Sequence, residues 1–313
     1  MKKLTSLLIL FFCTTYFYFS ATAQNAANPL SVNVSGDSVT FVVIGDFGQN
    51  SKSEKAVAEM VKSWKFDFII TTGDNNYPLG SKKTIQKNIG KYYGDYIYNP
   101  DAPEKMKCNG KAFQDKVNRF FPCPGNHDNY STPMLQPYLD YFTLPGDEKN
   151  YDFSWGPVRF FSLNTGRSAD IACCDATESV WLKEGLAKAK EPFKFVVFHH
   201  PPFSPGSHGS AEKMQWPFAS WGTDAVLCGH EHFYARIMDK QTPKMPYITC
   251  GSSGNNRLYG CDEHPLDSSK FDVKCDENHW GAMLVRASRS KVVMEYYTTQ
   301  DPTHPTDVYV IQK

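Results

Sequence analysis

Residues that can bind metal ions are spread over five short blocks of the chain. Each block follows an apolar run of strand type, and the blocks are Gly45-Asp46-Phe47-Gly48, Gly73-Asp74-Asn75-Asn76-Tyr77, Gly125-Asn126-His127-Asp128, Val196-Val197-Phe198-His199 and Gly229-His230-Glu231-His232. Carboxylate, imidazole, amide and phenol groups suit hard or borderline ions such as Fe, Zn or Mn. A series of strands that end in such groups predicts a binuclear metal site at the edge of a sheet.

Two carboxylates in this set occupy similar positions. Asp46 and Asp74 each follow an apolar run and a glycine. Glycine permits a sharp exit from a strand, so each carboxylate is expected at the strand's carboxyl end. A second ion needs a bridging ligand, and a carboxylate bridge from Asp74 would hold two ions about 3.5–4 Å apart, as in known two-metal sites.

Strand-like runs alternate with helices or loops, and the last third of the chain is almost all strand. The predicted strands are Ser38–Ile44, Phe66–Thr71, Phe120–Cys123, Tyr151–Trp155, Val158–Leu163, Phe195–Phe198, Ala225–Leu227, Tyr234–Met238, Tyr247–Cys250, Ala282–Ala287, Val292–Tyr297 and Val308–Ile311. The predicted helices are Ser53–Ser63 and Ser179–Ala189. This pattern favours an α/β fold, a four-layer α-β-β-α sandwich with two mixed β-sheets. The long stretches 78–119 and 201–220 lack strong periodicity and are expected to be loops that carry substrate contacts.

The N-terminus has the pattern of a targeting segment. Met1-Lys2-Lys3 precedes an apolar stretch from Leu4 to Phe19, which is followed by Ser20-Ala21-Thr22-Ala23. This order predicts a secretory signal peptide over residues 1–23, cleaved before Gln24, then a linker over 24–36 and one folded domain over 37–313. A membrane anchor is the alternative, but the apolar stretch is shorter than the ~20 residues of a spanning helix. We therefore expect a secreted or periplasmic protein with no membrane span after cleavage.

Charge and cysteine content limit the possible binding partners and indicate where disulfides form. The chain has 33 basic and 33 acidic residues, a balance that argues against nucleic acid or an anionic membrane as the main partner. The cysteines after the predicted cleavage point are even in number, which favours disulfides in an exported protein. Cys261 and Cys275 flank a polar loop and are the expected pair. Cys228 and Cys250 lie in strand-like runs and are expected to be buried apolar residues.

The five blocks resemble the calcineurin-like metallophosphoesterase superfamily and, within it, the small purple acid phosphatases of the tartrate-resistant type. The family pattern GDxG, GDxxY, GNH(D/E), VxxH and GHxH is present between Val39 and Gly254. The resemblance implies that the domain over 37–313 is the catalytic domain. It implies that the first ion is bound by Asp46, Asp74, Tyr77 and His232. It implies that the second ion is bound by Asp74, Asn126, His199 and His230.

One substitution within the blocks indicates the subfamily. Most members of the superfamily have a histidine where this chain has Gly48, and Tyr77 would replace the missing imidazole with a phenolate. Phenolate favours Fe(III) over a divalent ion. The implied cofactor is a binuclear centre of Fe(III) with a second divalent ion (Fe, Zn or Mn), and the protein is expected to be purple.

The resemblance also implies a reaction, the in-line attack of a metal-bound hydroxide on phosphorus. His127 adjoins Asn126, where it can stabilise the transition state or protonate the leaving alcohol. In the small mammalian-type enzymes a second catalytic histidine lies nine residues after the ligand histidine. His208 lies nine residues after His199 and would take that role. We therefore expect an exported acid phosphatase that hydrolyses phosphate monoesters of small molecules or phosphoproteins.

Alternatives remain open at this stage. Neighbours on a strand point to opposite faces, so either His199 or His200 reaches the metal, and the family register favours His199. Asp128 either orients His127 through a hydrogen bond or caps the next segment. The alternative functions are an exported nucleotidase or phosphodiesterase on the same scaffold, and a non-catalytic binding protein that retains the fold.

Overall fold

The computed structural model describes residues 32–166 and 177–313. The predicted signal peptide, the linker up to residue 31, Cys173 and Cys174 lie outside the described residues. Within those two ranges, no helix has the length and apolar character needed to cross a membrane.

Fourteen strands are present in the described residues. In chain order they are β1 (Asn33–Val34), β2 (Ser38–Ile44), β3 (Phe68–Thr71), β4 (Phe120–Pro122), β5 (Tyr151–Trp155), β6 (Val158–Ser162), β7 (Phe193–Val197), β8 (Ala225–Cys228), β9 (Tyr234–Asp239), β10 (Pro246–Cys250), β11 (Phe271–Asp276), β12 (Gly281–Ser288), β13 (Lys291–Thr298) and β14 (Asp307–Gln312). The larger sheet has the order β1-β5-β6-β7-β8-β10-β9-β11, and the smaller sheet has the order β14-β13-β12-β2-β3-β4. Both sheets mix parallel and antiparallel pairs, so the predicted α/β fold with two mixed sheets is confirmed.

Aromatic rings join the two sheets in the core. Phe41 on β2 contacts Phe160 on β6 edge to face, with ring centroids 5.0 Å apart. Phe68 on β3 lies 5.6 Å from Phe153 on β5, and all four rings are buried. Such pairs contribute about 0.5–1.5 kcal/mol each beyond the apolar area that they bury. The packing holds the sheets face to face and fixes the position of their carboxyl edges.

The described α-helices are fewer than the strands. In chain order they are α1 (Lys52–Lys62), α2 (Lys91–Tyr93), α3 (Lys111–Asp115), α4 (Asn126–Asn129), α5 (Gln136–Tyr141) and α6 (Thr177–Lys188). Helix α1 begins after Ser51, whose hydroxyl accepts a hydrogen bond from the Glu54 amide, and it buries Val57 and Val61. Helices α1 and α6 agree with the predicted helices to within two residues.

The structure departs from the sequence prediction in several places; strand β1 lies within the predicted linker 24–36, and helix α5 was not predicted. The stretch 78–119, expected to be a loop, contains a π-helical turn (Gln86–Gly90), α2, two 3₁₀ turns and α3. Edge strand β11 was not predicted, although its apolar residues Phe271, Val273 and Cys275 alternate with polar ones, and none of its residues is fully buried. It pairs with β9, and its Cys275 forms the expected disulfide with Cys261. Cys228 and Cys250 are buried free thiols, as expected.

Parallel pairing brings the five blocks to one place. Strands β2, β3 and β4 are neighbours that run parallel in the smaller sheet, and β7 and β8 do so in the larger sheet. Each block follows the carboxyl end of one of these strands. Because the two sheets pack face to face, the five strand ends converge at one edge of the sandwich.

Candidate metal centre

Backbone strain marks the points where the chain leaves three of these strands. Asp46 and Asp74 both have φ of +52°, and His230 has φ of +72°. Residues other than glycine rarely adopt this left-handed region, and each such residue costs on the order of 1 kcal/mol. Strain of this kind concentrates at functional sites because the surrounding structure imposes it.

The glycines of the blocks permit very close packing around these residues. A Cβ atom at Gly45 would collide with the Thr72 hydroxyl group, and one at Gly125 would collide with the backbone and carboxylate of Asp74. Glycine is therefore required here because neighbouring loops approach within contact distance of the backbone. The chain is thereby able to place several polar side chains in a small buried volume.

Three of the predicted site residues form one half of the cluster. The Tyr77 hydroxyl group lies 3.2 Å from Asp46 Oδ1 and 3.1 Å from His232 Nε2. His232 Nε2 lies 3.6 Å from Asp46 Oδ1. His232 Nδ1 donates to the Arg257 carbonyl oxygen at 3.0 Å, so its Nε2 is left to face the cluster.

A second half of the cluster forms around His199. His199 Nε2 lies 2.9 Å from Asn126 Oδ1, 3.2 Å from His230 Nδ1 and 3.4 Å from Asp74 Oδ1. His199 Nδ1 donates to the Thr72 carbonyl oxygen at 2.9 Å. This hydrogen bond fixes the ring and directs Nε2 toward the other side chains.

Asp74 lies between the two halves. Potential ligand atoms of Asp46, Asp74 and His199 all lie within 4.8 Å of one another, and all three side chains are buried. An oxygen in this position can contact an ion in either half. The structure therefore brings together all seven residues predicted to bind metal, with Asp74 in the place of a bridging ligand.

The neighbour of His199 has a different environment. His200 is also buried and lies near His230, but its Nδ1 is hydrogen bonded to the Thr165 hydroxyl group at 2.8 Å. The contacts of His199 with Asn126 and Asp74 have no counterpart among the hydrogen bonds described for His200. The geometry thus favours His199 as the ligand, and the assignment stays a prediction.

The two predicted catalytic histidines contact different members of the cluster. His127 Nδ1 is hydrogen bonded to the Pro78 carbonyl oxygen at 2.6 Å, and its Nε2 lies 3.9 Å from Asp74 Oδ2. The ring centroid of His208 lies 4.3 Å from that of His230. His208, His200 and His230 line a cavity of about 330 Å³, a size within the range of small-ligand sites.

The possibility that Asp128 orients His127 is wrong. Asp128 Oδ2 accepts hydrogen bonds from the Gly125 amide at 2.9 Å and from the Asn75 amide and side chain at 3.1 and 2.9 Å. Asp128 therefore caps helix α4 and joins two of the blocks, which is the other alternative that the sequence left open. The Pro78 carbonyl oxygen orients His127 instead.

Burial and neighbouring charges shift the pKa values of the titratable groups in the cluster in different directions. Burial raises the pKa of Asp46 well above its usual range. Burial also acts to raise the pKa of Asp74, but the charges of His199 and His127 and the hydrogen bonds from them together hold it well below that range. Burial opposes protonation of His199, but Asp74 and Asp46 raise its pKa to about 9. Burial lowers the pKa of His232 to about 4 and that of His230 well below its usual value. Those two imidazoles are neutral and present lone pairs, as ligands must.

The donor set fits bound cations. Metal–ligand bonds of about 2.1 Å place neighbouring ligand atoms roughly 3.0–3.5 Å apart, and the separations within both halves fall near that range. The oxygen and imidazole nitrogen atoms that converge here have few protons to share, so cations would satisfy their lone pairs. Burial, followed by the charges of Asp74 and Asp46, raises the pKa of Tyr77. A strongly Lewis-acidic cation would therefore be needed to ionise this phenol.

Some contributors to the site carry little signal in the sequence. The ring of Tyr259 stacks on His232 with centroids 4.3 Å apart, and the carbonyl groups of Thr72 and Arg257 orient two histidines. A backbone carbonyl has no residue-type signal, so sequence reasoning could not identify it. Glu231 lies inside a recognised block, and its contact with His208 is visible only in three dimensions.

The fold and this constellation define a class of protein, the metal-dependent phosphoesterases. Residues 39–234 match the family model of the calcineurin-like phosphoesterases, and the chain belongs to that family. Enzymes of this kind use a binuclear metal centre, and the cluster described above supplies candidate ligands for one.

Two individual relatives indicate which kind of phosphoesterase this chain is similar to. The chain is 24% identical over 293 residues to human tartrate-resistant acid phosphatase type 5, covering 82% of this chain and 86% of the relative. It is 24% identical over 305 residues to purple acid phosphatase 4 of Arabidopsis thaliana, covering 88% of this chain and 83% of the relative. The predicted relationship to purple acid phosphatases and the predicted enzyme class, phosphoric monoester hydrolase, are confirmed.

A solved structure supports the same fold. The purple acid phosphatase PPD1 from yellow lupin (Lupinus luteus) seeds matches with a TM-score of 0.66 at 16% identity. The match covers 89% of this chain and 54% of the lupin chain, so this chain spans about half the length of that protein. At this identity the likeness shows the fold alone.

Proposed function

We propose that this chain is an exported acid phosphatase, secreted or periplasmic, that hydrolyses phosphate monoesters at a centre of Fe(III) and a divalent ion. The observation that carries the proposal is the position of Tyr77, whose hydroxyl group lies 3.2 Å from Asp46 and 3.1 Å from His232. The first block has Gly48 in place of an imidazole, and Tyr77 fills the ligand position. Phenolate ligation supports Fe(III) in this half.

The other half suits a divalent ion. Its donors are the Asn126 amide oxygen, two imidazoles and an oxygen of Asp74, so it holds less negative charge than the half that includes Asp46 and Tyr77. Fe, Zn or Mn in the divalent state matches such mixed nitrogen and oxygen ligands. When bound, the two ions would supply an acidified water molecule as the nucleophile and positive charge to hold the phosphate.

The protein's own side chains would act around the phosphorus atom. Asn126, His199 and His230 would hold one ion through their amide oxygen and imidazole nitrogen atoms. His127 and His208 contact different members of the cluster, so one can hydrogen bond a phosphate oxygen while the other donates a proton to the leaving oxygen. The cavity beside His208 has room for the phosphate end of a small molecule or a phosphorylated side chain of a protein.

A comparison of a monoester with a diester tests the reaction class. We expect hydrolysis of 4-nitrophenyl phosphate to exceed that of bis(4-nitrophenyl) phosphate at acidic pH. The opposite ranking would favour the alternative, an exported nucleotidase or phosphodiesterase on the same scaffold. Activity on nucleoside monophosphates but not on other monoesters would favour a nucleotidase.

Separate experiments test the non-catalytic alternative and export. An Asn126→Ala variant should lose phosphatase activity, and an unchanged activity would support a binding protein that only retains the fold. Export is tested by expression of the full chain. We expect the released protein to begin at Gln24, and retention of the uncut chain in the cell would contradict the proposed localisation.

A further inference from the structure

Glu231 is a fully buried acidic residue that the reaction described above does not use. It lies between the two histidines of the fifth block, on the connection from β8 to β9, and its side chain is 0% exposed. A carboxylate that is removed from water needs hydrogen-bond donors to offset the loss of hydration. The identity of these donors shows what the residue does.

The described donors to this carboxylate come from one loop, the loop that carries His208. Glu231 Oε1 accepts from the Ser204 hydroxyl group at 3.1 Å and from the His208 backbone amide at 2.9 Å. Glu231 Oε2 lies 3.1 Å from His208 Nδ1. Since a carboxylate oxygen accepts, His208 Nδ1 is the donor in this last contact.

The loop also approaches the carboxylate with its backbone. A Cβ atom at Gly206 would lie 2.5 Å from Glu231 Cδ, so the turn between Ser204 and His208 closes directly over the carboxyl group. The His208 side chain itself is 42% exposed. A half-exposed imidazole on a loop would rotate freely without such an anchor, and fixing it in advance lowers the entropic cost of the reaction.

We propose that Glu231 is a positioning residue for His208. Its carboxylate fixes the loop through Ser204 and the His208 amide, and it fixes the ring through Nδ1. The ring is thereby held against His230 with centroids 4.3 Å apart, and Nε2 is the nitrogen left for the substrate. This inference rests on the proposed phosphatase function and assigns His208, on the side of the 330 Å³ cavity, as the donor to the leaving group.

The proton transfer balances at each atom. As the bond between phosphorus and the leaving oxygen breaks, the proton on Nε2 moves to that oxygen, and the alcohol departs neutral. The Nδ1 proton stays in its hydrogen bond with Glu231, and solvent returns a proton to Nε2. Alkoxide leaving groups need this proton far more than 4-nitrophenolate does, so a misplaced ring should affect the two kinds of substrate unequally.

The experiment measures kcat/KM for glycerol phosphate and for 4-nitrophenyl phosphate in the wild type and in Glu231→Gln. The amide is the same size as the carboxylate but can present an N–H group to His208 Nδ1. We expect the ratio of alkyl to aryl activity to fall by roughly 10-fold or more, within the range for loss of an orienting partner. His208→Ala should lower the same ratio, and the double variant should lower it no further. Glu59→Gln, on the exposed face of helix α1 and outside the wall of this cavity, is the matched control and should leave the ratio unchanged.

An equal loss on both substrates, or a further loss in the double variant, would overturn the inference and leave a purely structural role. If Glu231→Gln does not accumulate as folded protein, Glu231→Asp provides the second test. It keeps the charge but shortens the reach to His208, and it must produce the same substrate-selective loss. A wild type that is inactive on both monoesters would refute the proposed function itself, and the inference with it. An active wild type with an unchanged ratio in both Glu231 variants would refute the inference alone.

Discussion

A buried glutamate on helix α1 is predicted to lower the stability of the fold as pH rises from acidic to slightly alkaline values. Glu54 is 0% exposed and follows the loop that leaves Asp46. Its Oε2 accepts hydrogen bonds from the Gln49 and Asn50 amides, whereas Oε1 is buried without a described partner. The nearby Tyr93 hydroxyl group is also buried without one. A carboxylate here is poorly compensated, and burial raises the pKa of Glu54 to about 9.

The sign of the effect follows from the two states of the protein. Between the ordinary pKa of 4.5 and the folded value of about 9, the unfolded chain has lost this proton and the folded chain has kept it. The free energy of unfolding therefore falls as pH rises through this window, by up to about 1.4 kcal/mol per pH unit. At pH 7.5 the buried Glu54 lowers the free energy of unfolding by on the order of a few kcal/mol, and below pH 4.5 this destabilisation vanishes.

The perturbation that tests this reasoning is Glu54→Gln, which keeps the shape and the two accepted hydrogen bonds but cannot ionise. We expect the difference in melting temperature, variant minus wild type, to be larger at pH 8 than at pH 5. The increase should be several degrees, since 1 kcal/mol corresponds to about 2 °C. Thermal unfolding by circular dichroism at both values measures the change. Glu59→Gln, on the exposed face of the same helix, is the matched control.

Comparison across pH removes any constant effect of the amide, since only the difference between pH 5 and pH 8 depends on ionisation. A difference between Glu54→Gln and the wild type that is the same at both values would refute the reasoning. It would mean that Glu54 is already ionised in the folded protein at pH 5. A pH-dependent shift of the same size in Glu59→Gln would also refute it, because the effect would then not come from burial.

Further predictions concern the metal centre. Tyr77→Phe should remove the visible absorption band and lower the iron content, measured by spectroscopy and metal analysis; a colourless wild type with two zinc ions would contradict the Fe(III) assignment. His199→Ala should lower phosphatase activity by roughly 100-fold and His200→Ala by roughly 10-fold at most, and the reverse order would make His200 the ligand. Removal of metal by a chelator should lower the melting temperature, because ions that bind only the folded protein stabilise it; an unchanged melting temperature in protein shown to be metal-free would contradict a site in the cluster.

The core strands could be predicted from the sequence because burial leaves a clear pattern. Strands β2 and β5 begin and end at the predicted residues. Strand β2 is a run of mostly buried β-branched and aromatic side chains, β5 alternates aromatic with polar side chains, and both are bounded by polar or glycine residues. Edge strand β11 was missed although its sequence alternates apolar and polar residues, because the run is short and rich in charged side chains. The short helices between 78 and 119 were also missed, since turns of three to five residues are too short to show a helical period.

The candidate site shows a similar division. The side chains themselves could be identified because each lies next to a glycine or a strand end in a short block. The atoms that orient them could not, as the Thr72 and Pro78 carbonyl groups act through the backbone. The interaction of Glu231 with His208 joins residues 23 positions apart, and only the packing of the loop over the carboxylate reveals it.

The cluster is a region where binding chemistry and local stability oppose each other. Asp46, Asp74 and His230 hold left-handed backbone conformations, and two of them carry buried carboxylates. Each of these features is unfavourable in a folded chain without cations. Two metal ions would reverse the electrostatic part, because they compensate the carboxylates and accept the lone pairs. The aromatic core that joins the two sheets must therefore hold the five strand ends together before the ions bind, and the strain retained at Asp46 and Asp74 reflects that requirement.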